Sequence, residues 1–257
     1  MPKFAANLTM MFNEVEFLDR FEAAAKAGFG AVEYLFPYPY EKEQLVERLE
    51  KNRLTQVLIN LPAGDWAAGE RGIACLPDRV GEFQAGVERA ITYATALGCK
   101  QVNCLAGVPK GVAPDKARQT LIDNLKYAAV RLERAGIRLL VEPINTRDIP
   151  GFFLCHTQQA LDIFADAGST NIWLQYDIYH MQIMEGDLAP TIEKNFARIA
   201  HFQLADNPGR HEPGTGEINY PFLFGFLDKL GYDGFIGCEY KPATTTAAGL
   251  GWIKPYR

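Results

Sequence analysis

The sequence predicts an α/β fold, a (β/α)₈ TIM barrel that forms a single domain over residues 1–257. The chain length of 257 residues is close to the ~250 residues typical of this barrel. A second observation is a recurring pattern, in which an amphipathic helix ends at a glycine and a short β-rich run follows. These runs show little alternation of apolar and polar residues, as expected for parallel strands covered on both faces.

Eight such runs predict eight strands. In five of them a helix-ending glycine comes first and the run ends on a polar residue: Gly28 to Glu33, Gly98 to Asn103, Gly136 to Glu142, Gly168 to Asp177 and Gly231 to Glu239. The other three runs are Phe4 to Leu8, Thr55 to Asn60 and Ile199 to Gln203. Glycine ends a helix in the left-handed conformation without the steric cost of a Cβ atom, so these glycines indicate that strands follow helices.

Helices fill the intervals between the runs. Pro221 occupies a first-turn position, and the helix that it begins is predicted to have one apolar face, formed by Phe222, Leu223, Phe226, Leu227 and Leu230. Asn13 and Glu16 resemble a capping box at the first helix. A doubly wound open sheet uses similar units, but we find no Gly-x-Gly-x-x-Gly motif after the first strand and no P-loop motif, which favours the closed barrel.

Composition and charge indicate which classes of binding partner this protein is expected to have. The net charge is −5 and there is no long basic tract, so no nucleic-acid partner is expected. No apolar run approaches the ~18 residues of a membrane span, and the first residues lack the features of a secretory signal. We therefore expect a cytoplasmic protein with no membrane partner that acts on a small molecule. A homo-oligomer is compatible with the sequence.

The cysteines do not have the spacing of a disulfide framework or of a zinc site. They are odd in number and scattered, mostly within apolar runs. We predict that they are reduced core residues: Cys75, Cys99, Cys104, Cys155 and Cys238.

Four polar residues at the ends of predicted strands indicate a metal site. They are Glu142, Asp177, Gln203 and Glu239, and they are separated by 35, 26 and 36 residues, about one strand-helix-strand unit each. Three carboxylates brought together raise each other's pKa unless a divalent cation neutralises them. Ligation by oxygen alone suits Mg²⁺ or Mn²⁺ better than Zn²⁺. The alternative is four unrelated polar residues at strand ends.

Five segments carry a resemblance to a known family, through their order and spacing together. They are residues 60–72 (NLPAGDWAAGERG), 141–145 (VEPIN), 177–180 (DIYH), 206–217 (DNPGRHEPGTGE) and 237–240 (GCEY). Over nearly its whole length the chain resembles the hydroxypyruvate isomerase family of the xylose-isomerase-like TIM barrels, including its 2-oxo-tetronate isomerase branch. The resemblance implies an isomerase of short hydroxy-oxo acids in which Glu142, Asp177, Gln203 and Glu239 bind the metal. It also implies that Glu142 and Glu239 exchange the proton.

This assignment agrees with the chemistry of such a reaction. Moving a carbonyl group to the adjacent carbon removes a proton from one carbon and delivers one to the next, through an enediolate whose negative charge must be stabilised. A divalent metal stabilises that charge as a Lewis acid. Two carboxylates on either side of the substrate then act in turn as base and acid.

Five further residues are predicted to bind the substrate. His180 is expected to contact the substrate or a metal-bound water, and Arg210 with His211 to hold a substrate carboxylate. Glu70 and Arg71 are expected to belong to a lid that excludes water. The alternatives are a packing or capping role for His180, a solvated charge for Arg210, and ordinary turns around Glu70 and Arg71.

Three other polar residues lie at or near the ends of predicted strands. His201 is two positions before Gln203, so it is expected deeper on the same strand face, as a core histidine. Glu33 and Asn103 end two further strands and are expected to support the metal ligands.

Three other functions compete with a hydroxy-oxo acid isomerase. A sugar isomerase or 3-epimerase would use the same site on a longer, uncharged substrate, and a barrel endonuclease for damaged DNA would need histidine-rich sites for several zinc ions and a basic groove. A non-catalytic protein that binds sugar acids would leave the three-carboxylate site without a reaction.

Overall fold

The computed structural model describes residues 1–256, and its centre is a closed barrel of eight parallel strands. The first and last strands pair and close the barrel, with Phe4 opposite Ile236. The predicted barrel is therefore confirmed. The strands are β1 (Lys3–Asn7), β2 (Ala31–Glu33), β3 (Thr55–Asn60), β4 (Gln101–Cys104), β5 (Arg138–Val141), β6 (Ile172–Asp177), β7 (Ile199–Leu204) and β8 (Phe235–Cys238).

Helices follow the strands and surround the barrel. They are α1 (Arg20–Lys26), α2 (Lys42–Asn52), α3 (Val80–Ala96), α4 (Pro114–Arg134), α5 (Thr157–Ala167), α6 (Ile178–Met184), α7 (Leu188–Asn195), α8 (Tyr220–Leu230) and α9 (Thr246–Gly249). Short 3₁₀ segments lie at Phe17–Asp19, Pro77–Arg79, Phe196–Arg198 and Leu250–Tyr256. α5 ends at Gly168 with φ of 65° and α8 at Gly231 with φ of 82°, which confirms the predicted role of these glycines.

Two local predictions were wrong. Asn13 caps no helix, because its side-chain amide donates to the Met10 carbonyl and the first helical segment begins later, at Phe17, as a 3₁₀ turn. In α8, Phe222 is 56% exposed while Phe224 is buried. Residues four and seven positions after Tyr220 share its face of the helix, so Phe224 points inward with it and Phe222 points away.

The barrel interior differs between its two ends. At the amino ends of the strands the filling is apolar, formed by Ala5, Ala31, Val57, Leu58 and Leu140 with Trp173 and Phe235 packed against them. At the carboxyl ends the buried side chains are polar, among them Asn7, Glu33, Asn60, Asn103, Gln175, His201 and Gln203. Because buried polar groups must find partners, this end of the barrel holds a hydrogen-bonded network.

Three further features bear on the sequence predictions. The long connections at residues 61–76, 143–156 and 205–219 follow β3, β5 and β7, at the carboxyl end of the barrel. All five cysteines are free and buried, which confirms that prediction. No helix within residues 1–256 combines the length and the apolar character that crossing a membrane requires.

Candidate active site

A cavity of about 560 Å³ opens at the carboxyl ends of the strands. Loops after several strands form its wall, as is usual for the active sites of these barrels. Its lining includes Asn60, Trp66, Arg71, Glu142, Arg147, Asp148, Tyr179, His180, Arg210, Glu239 and Lys241.

Three of the predicted strand-end residues meet together with His180, and all of these but Asp177 line this cavity. Glu142 and Glu239 each follow the last residue of a strand, and Asp177 ends β6. One ligand atom from each of Glu142, Asp177, His180 and Glu239 lies within 4.8 Å of the others, and all four residues are buried. The cluster therefore places three carboxylates and an imidazole around one point.

Hydrogen bonds occupy one oxygen of Glu142 and one of Asp177 and leave the other free. Glu142 Oε2 accepts from the amides of Asn103 and Gln175, each at 3.0 Å. Asp177 Oδ1 accepts from the Tyr179 N–H at 2.8 Å and so caps α6. Glu142 Oε1 and Asp177 Oδ2 are buried without a hydrogen-bond partner. Each carboxylate is thus held by one oxygen, while the other makes no hydrogen bond and lies 3.7 Å (Glu142) or 3.5 Å (Asp177) from His180 Nε2.

Gln203, the fourth predicted ligand, is fully buried on β7. Its Nε2 atom donates to Glu33 Oε1 at 2.7 Å, and its Oε1 atom accepts from Gln175 Nε2 at 2.6 Å. Since Gln175 also donates to Glu142 Oε2, one amide group connects two of the predicted ligands.

Burial makes the carboxylates costly to ionise. It raises the pKa of Glu239 to about 8, against the opposing positive charge of Arg210. Burial raises the pKa of Glu142 well above its usual range, and the charges of Glu239 and Asp177 add to this shift. Burial also raises the pKa of Asp177. The cluster thus favours either bound protons or a neighbouring cation.

Arg210 supplies a positive charge to this cluster. Its Nη2 atom lies 2.7 Å from Glu239 Oε2 and 3.6 Å from Asp177 Oδ2. The guanidinium also lies 5.1 Å from the centre of the Tyr179 ring, and Nη1 lies 3.4 Å from Asp148 Oδ2. Arg210 therefore contacts protein carboxylates at both ends of its guanidinium.

The neighbours of His180 determine its tautomer. Asn145 Oδ1 accepts from the Asp148 N–H at 2.7 Å, so its Nδ2 atom faces His180 Nδ1 at 2.6 Å and donates to it. Burial and the charge of Arg210 lower the pKa of His180 well below its usual value, so the ring is neutral. A neutral ring that accepts at Nδ1 carries its proton on Nε2. We therefore assign no hydrogen bond to the 3.4 Å contact between Nε2 and Arg210 Nη2, because both atoms are donors.

The residues that reach this point fit a divalent cation. Two buried carboxylate oxygens lack partners, and the like charges of the cluster are those that a cation neutralises. Carboxylate and amide oxygens are preferred ligands of hard cations. Because His180 Nε2 carries a proton, it is a donor to this site rather than a ligand.

The remaining predicted substrate residues lie in different places. Arg71 lines the cavity, with its guanidinium 4.1 Å from the centre of the Trp66 ring. Glu70 instead accepts from Arg79 and lies on a neighbouring cavity of about 750 Å³. His211 contacts the Lys241 carbonyl at 2.8 Å and is not part of the cavity lining. The structure thus brings Arg71, His180 and Arg210 to the site, but not Glu70 or His211.

Sequence reasoning missed several residues that hold the site together. Gln175 lies two residues before Asp177 on β6, and this spacing puts both side chains on the same face of the strand. That spacing was a usable signal. Asn7, which donates to Glu33 and Glu239, ends β1 and so carried the strand-end signal, whereas Asn145, which holds His180, lies in the loop after β5 and was noted only as part of the 141–145 segment.

A comparison with protein families agrees with this architecture. The family described as the xylose isomerase-like TIM barrel matches residues 21–256. The chain belongs to this family. The sequence predictions of a hydroxypyruvate isomerase-like barrel and of an isomerase are also confirmed, by relatives that span the whole chain.

Two curated relatives are isomerases by name. The chain is 55% identical to the hydroxypyruvate isomerase of Escherichia coli (strain K12), with 100% of both chains covered. It is 50% identical to the 2-oxo-tetronate isomerase of Cupriavidus necator, with 100% of this chain and 99% of the relative covered.

Two solved structures share the fold. A crystal structure described as an AP endonuclease of family 2 from Brucella melitensis has a TM-score of 0.98 and 48% identity, with both chains fully covered. A 3-keto-D-glucoside 4-epimerase from E. coli has a TM-score of 0.78 at 20% identity, with 99% of both chains covered, and this likeness shows the fold alone.

Proposed function

We propose that this protein is a metal-dependent isomerase of short hydroxy-oxo acids. The reaction is hydroxypyruvate to tartronate semialdehyde or 2-oxo-tetronate to 3-oxo-tetronate, through an enediolate. The observation that carries the proposal is the position of Glu142 and Glu239 in one buried cluster beneath an open cavity. Relatives named for both reactions support the substrate class.

The proposed metal residues are Glu142, Asp177, Gln203 and Glu239, and the proposed ion is Mg²⁺ or Mn²⁺ because the ligand atoms are all oxygens. When bound, such an ion supplies Lewis-acid polarisation of substrate oxygens and stabilises negative charge.

Glu142 and Glu239 are the proposed base and acid. With hydroxypyruvate, one carboxylate removes a proton from C3 and the other delivers a proton to C2, while the proton of the C3 hydroxyl passes to the C2 oxygen, which gives the semialdehyde. Their order reverses with the direction of the reaction. Well-positioned general acids and bases contribute about 10²- to 10⁴-fold each. His180 presents its Nε2 proton to the same space, so its proposed role is to donate a hydrogen bond to a substrate oxygen.

The cations at the cavity mouth favour an acid over a neutral sugar. Arg71, Arg147 and Lys241 line the cavity beside Arg210. Within residues 1–256, Arg147 and Lys241 are exposed and have no ion pair. Because Arg210 already contacts Glu239 and Asp148, we expect it to share the substrate carboxylate with these residues.

An endonuclease has less support, although the Brucella structure is described as one. Within residues 1–256 the candidate metal ligands form one group, with a single histidine. His201 lies below it, bonded to Glu33 in the barrel interior, as expected for a core histidine. A multi-zinc site of the kind that an endonuclease needs has no counterpart among the described residues. The cytoplasmic location and a homo-oligomer stay predictions.

Turnover by the chelated protein tests the proposal. Hydroxypyruvate, 2-oxo-tetronate and the neutral sugar fructose are each incubated without metal and with Mg²⁺ or Mn²⁺, and products are followed by proton NMR. We expect metal-dependent conversion of at least one acid and none of fructose. Conversion of fructose but of neither acid would show that the substrate is a sugar rather than the proposed acid. Binding of the acids without conversion would favour a non-catalytic protein.

A further inference from the structure

Glu33 is a buried carboxylate that the proposed proton transfer does not use. It ends β2 and is 1% exposed. Its Oε1 atom accepts from Gln203 Nε2 at 2.7 Å and from Asn7 Nδ2 at 3.0 Å, and its Oε2 atom lies 2.8 Å from His201 Nε2. Glu33 therefore lies one contact away from the proposed metal residues.

Glu33 determines which way the Gln203 amide points. A carboxylate only accepts hydrogen bonds, so the Gln203 nitrogen must face it. Turning the amide over would put two oxygens at the 2.7 Å contact with Glu33 and two nitrogens at the 2.6 Å contact with Gln175. Both hydrogen bonds would be lost. The Gln203 oxygen is therefore held on the side away from Glu33.

Two further side-chain amides connect Glu33 to the proposed acid and base, Glu142 and Glu239. Gln175 donates to the Gln203 oxygen and also to Glu142 Oε2. Asn7 Oδ1 accepts from the Thr9 N–H at 3.1 Å, which turns its Nδ2 atom toward both Glu33 and Glu239, the latter at 3.4 Å. Glu33 thus connects to Gln203 directly and to both glutamates through one or two amides.

A glycine on β8, which is separated from β2 by β1, makes room for Glu33. A Cβ atom at Gly237 would lie 2.3 Å from Glu33 Oε1 and 2.4 Å from Oε2. Since real Cβ contacts are longer, any larger residue on β8 would displace the carboxylate. The close approach of Gly237 is a second observation, independent of the hydrogen bonds, that the barrel interior leaves space for the Glu33 carboxylate at this position.

We propose that Glu33, supported by His201, is a positioning residue that presents the Gln203 oxygen to a divalent cation. The inference rests on the proposed metal site and deepens it. Outer partners of metal ligands typically change metal affinity by about 10- to 100-fold when they are mutated. Glu33 itself contacts no substrate.

Glu33→Gln tests this role by metal affinity rather than by activity. The new amide can present its nitrogen as well as its oxygen to Gln203, so the contact at residue 33 no longer excludes the reversed orientation, which only the Gln175 contact then opposes. We expect Mn²⁺ binding, measured by isothermal titration of the chelated protein, to weaken about 10- to 100-fold. Glu212→Gln is the matched control, because Glu212 is also a buried carboxylate but accepts from the Ala243 N–H away from the cluster. Its affinity should stay within about twofold of wild type.

The double variant Glu33→Gln/Gln203→Glu separates positioning from a general structural role. It keeps the net charge and again sets one donor against one carboxylate, but the amide nitrogen at residue 33 then also faces the Asn7 donor, so we expect affinity to recover in part relative to Glu33→Gln. Gly237→Ala offers a second route, because displacing Glu33 is the cheapest relief of its clash, and it should weaken Mn²⁺ binding like Glu33→Gln. Gly225→Ala, at a site with open space, is its control.

The outcomes distinguish this inference from the proposed function. Unchanged Mn²⁺ affinity in Glu33→Gln, or no recovery in the double variant, would overturn the positioning role alone. A wild-type protein that binds neither Mn²⁺ nor Mg²⁺ would overturn both. Weakened binding in Glu33→Gln, with no turnover of either acid by wild type, would support the positioning role and reject the isomerase.

Discussion

Replacing Arg210 with methionine tests whether its guanidinium stabilises the carboxylate cluster when no cation is bound. Its Nη2 atom lies 2.7 Å from Glu239 Oε2 and 3.6 Å from Asp177 Oδ2. Two unit charges 4 Å apart attract by about 4 kcal/mol at an effective dielectric constant near 20, before desolvation is subtracted. Removing one partner of a buried pair costs about 3–5 kcal/mol. Because the Arg210 side chain is 15% exposed, we expect the lower end of that range.

The loss of stability caused by Arg210→Met should depend on pH. The carboxylates that remain can take up a proton, and burial already raises the pKa of Glu239 to about 8. Protonation relieves the uncompensated charge below that value, so Arg210→Met should cost less at pH 6 than at pH 9. Saturating Mn²⁺ should also reduce the loss, because a cation replaces the guanidinium charge.

Urea unfolding in the presence of a chelator measures the effect, with Arg118→Met as the control. Arg118 pairs with Asp166 on the surface, where both side chains are more than a third exposed, so its loss should be below about 1 kcal/mol. If Arg210→Met and Arg118→Met unfold with the same free energy at pH 9, Arg210 does not stabilise the cluster and the reasoning is refuted.

Three further predictions concern the same cluster. Glu142→Gln and Glu239→Gln should each lower kcat by at least about 10²-fold with unchanged circular dichroism; a variant that keeps near-full rate would remove that glutamate from the mechanism. His180→Gln should lower kcat while its Mn²⁺ affinity stays within about threefold, because His180 is a donor and not a ligand; a large loss of affinity would reverse that assignment. In chelated protein the free energy of unfolding should fall as the pH rises from about 5 to about 8, because native Glu239 keeps a proton that the unfolded chain, with its ordinary pKa of 4.5, releases. A stability that rises over this range would contradict it.

The barrel and the clustering of the strand-end carboxylates could be predicted because both follow from the regular alternation of strands and helices along the sequence. The carboxyl ends of parallel strands lie at one end of a barrel, so Glu142, Asp177 and Glu239 meet once their strands are recognised. Two strand boundaries differ from the prediction, since β5 and β8 end one residue before Glu142 and Glu239.

Loop residues and amide orientations could not be predicted in this way. Glu70 and His211 lie in long loops whose path is set by tertiary contacts, with Arg79 and with the Lys241 carbonyl respectively. Glu33 was predicted to support the metal ligands from its place at a strand end, but its link to Gln203 could not be, because it depends on side-chain hydrogen bonds across the barrel. The apolar face of α8 included Phe222 because hydrophobicity alone does not separate it from Phe224.

Proton NMR of the reaction in D₂O tests the transfer of a proton through Glu142 and Glu239 most directly. The chelated protein is incubated with hydroxypyruvate or 2-oxo-tetronate, with and without Mg²⁺ or Mn²⁺, and the product is examined at low conversion. We predict metal-dependent product that carries deuterium at the carbon that receives the proton, since a carboxylic acid exchanges with solvent. Product formed at the wild-type rate without deuterium would contradict this route and leave a hydride shift or the transfer of a proton shielded from solvent.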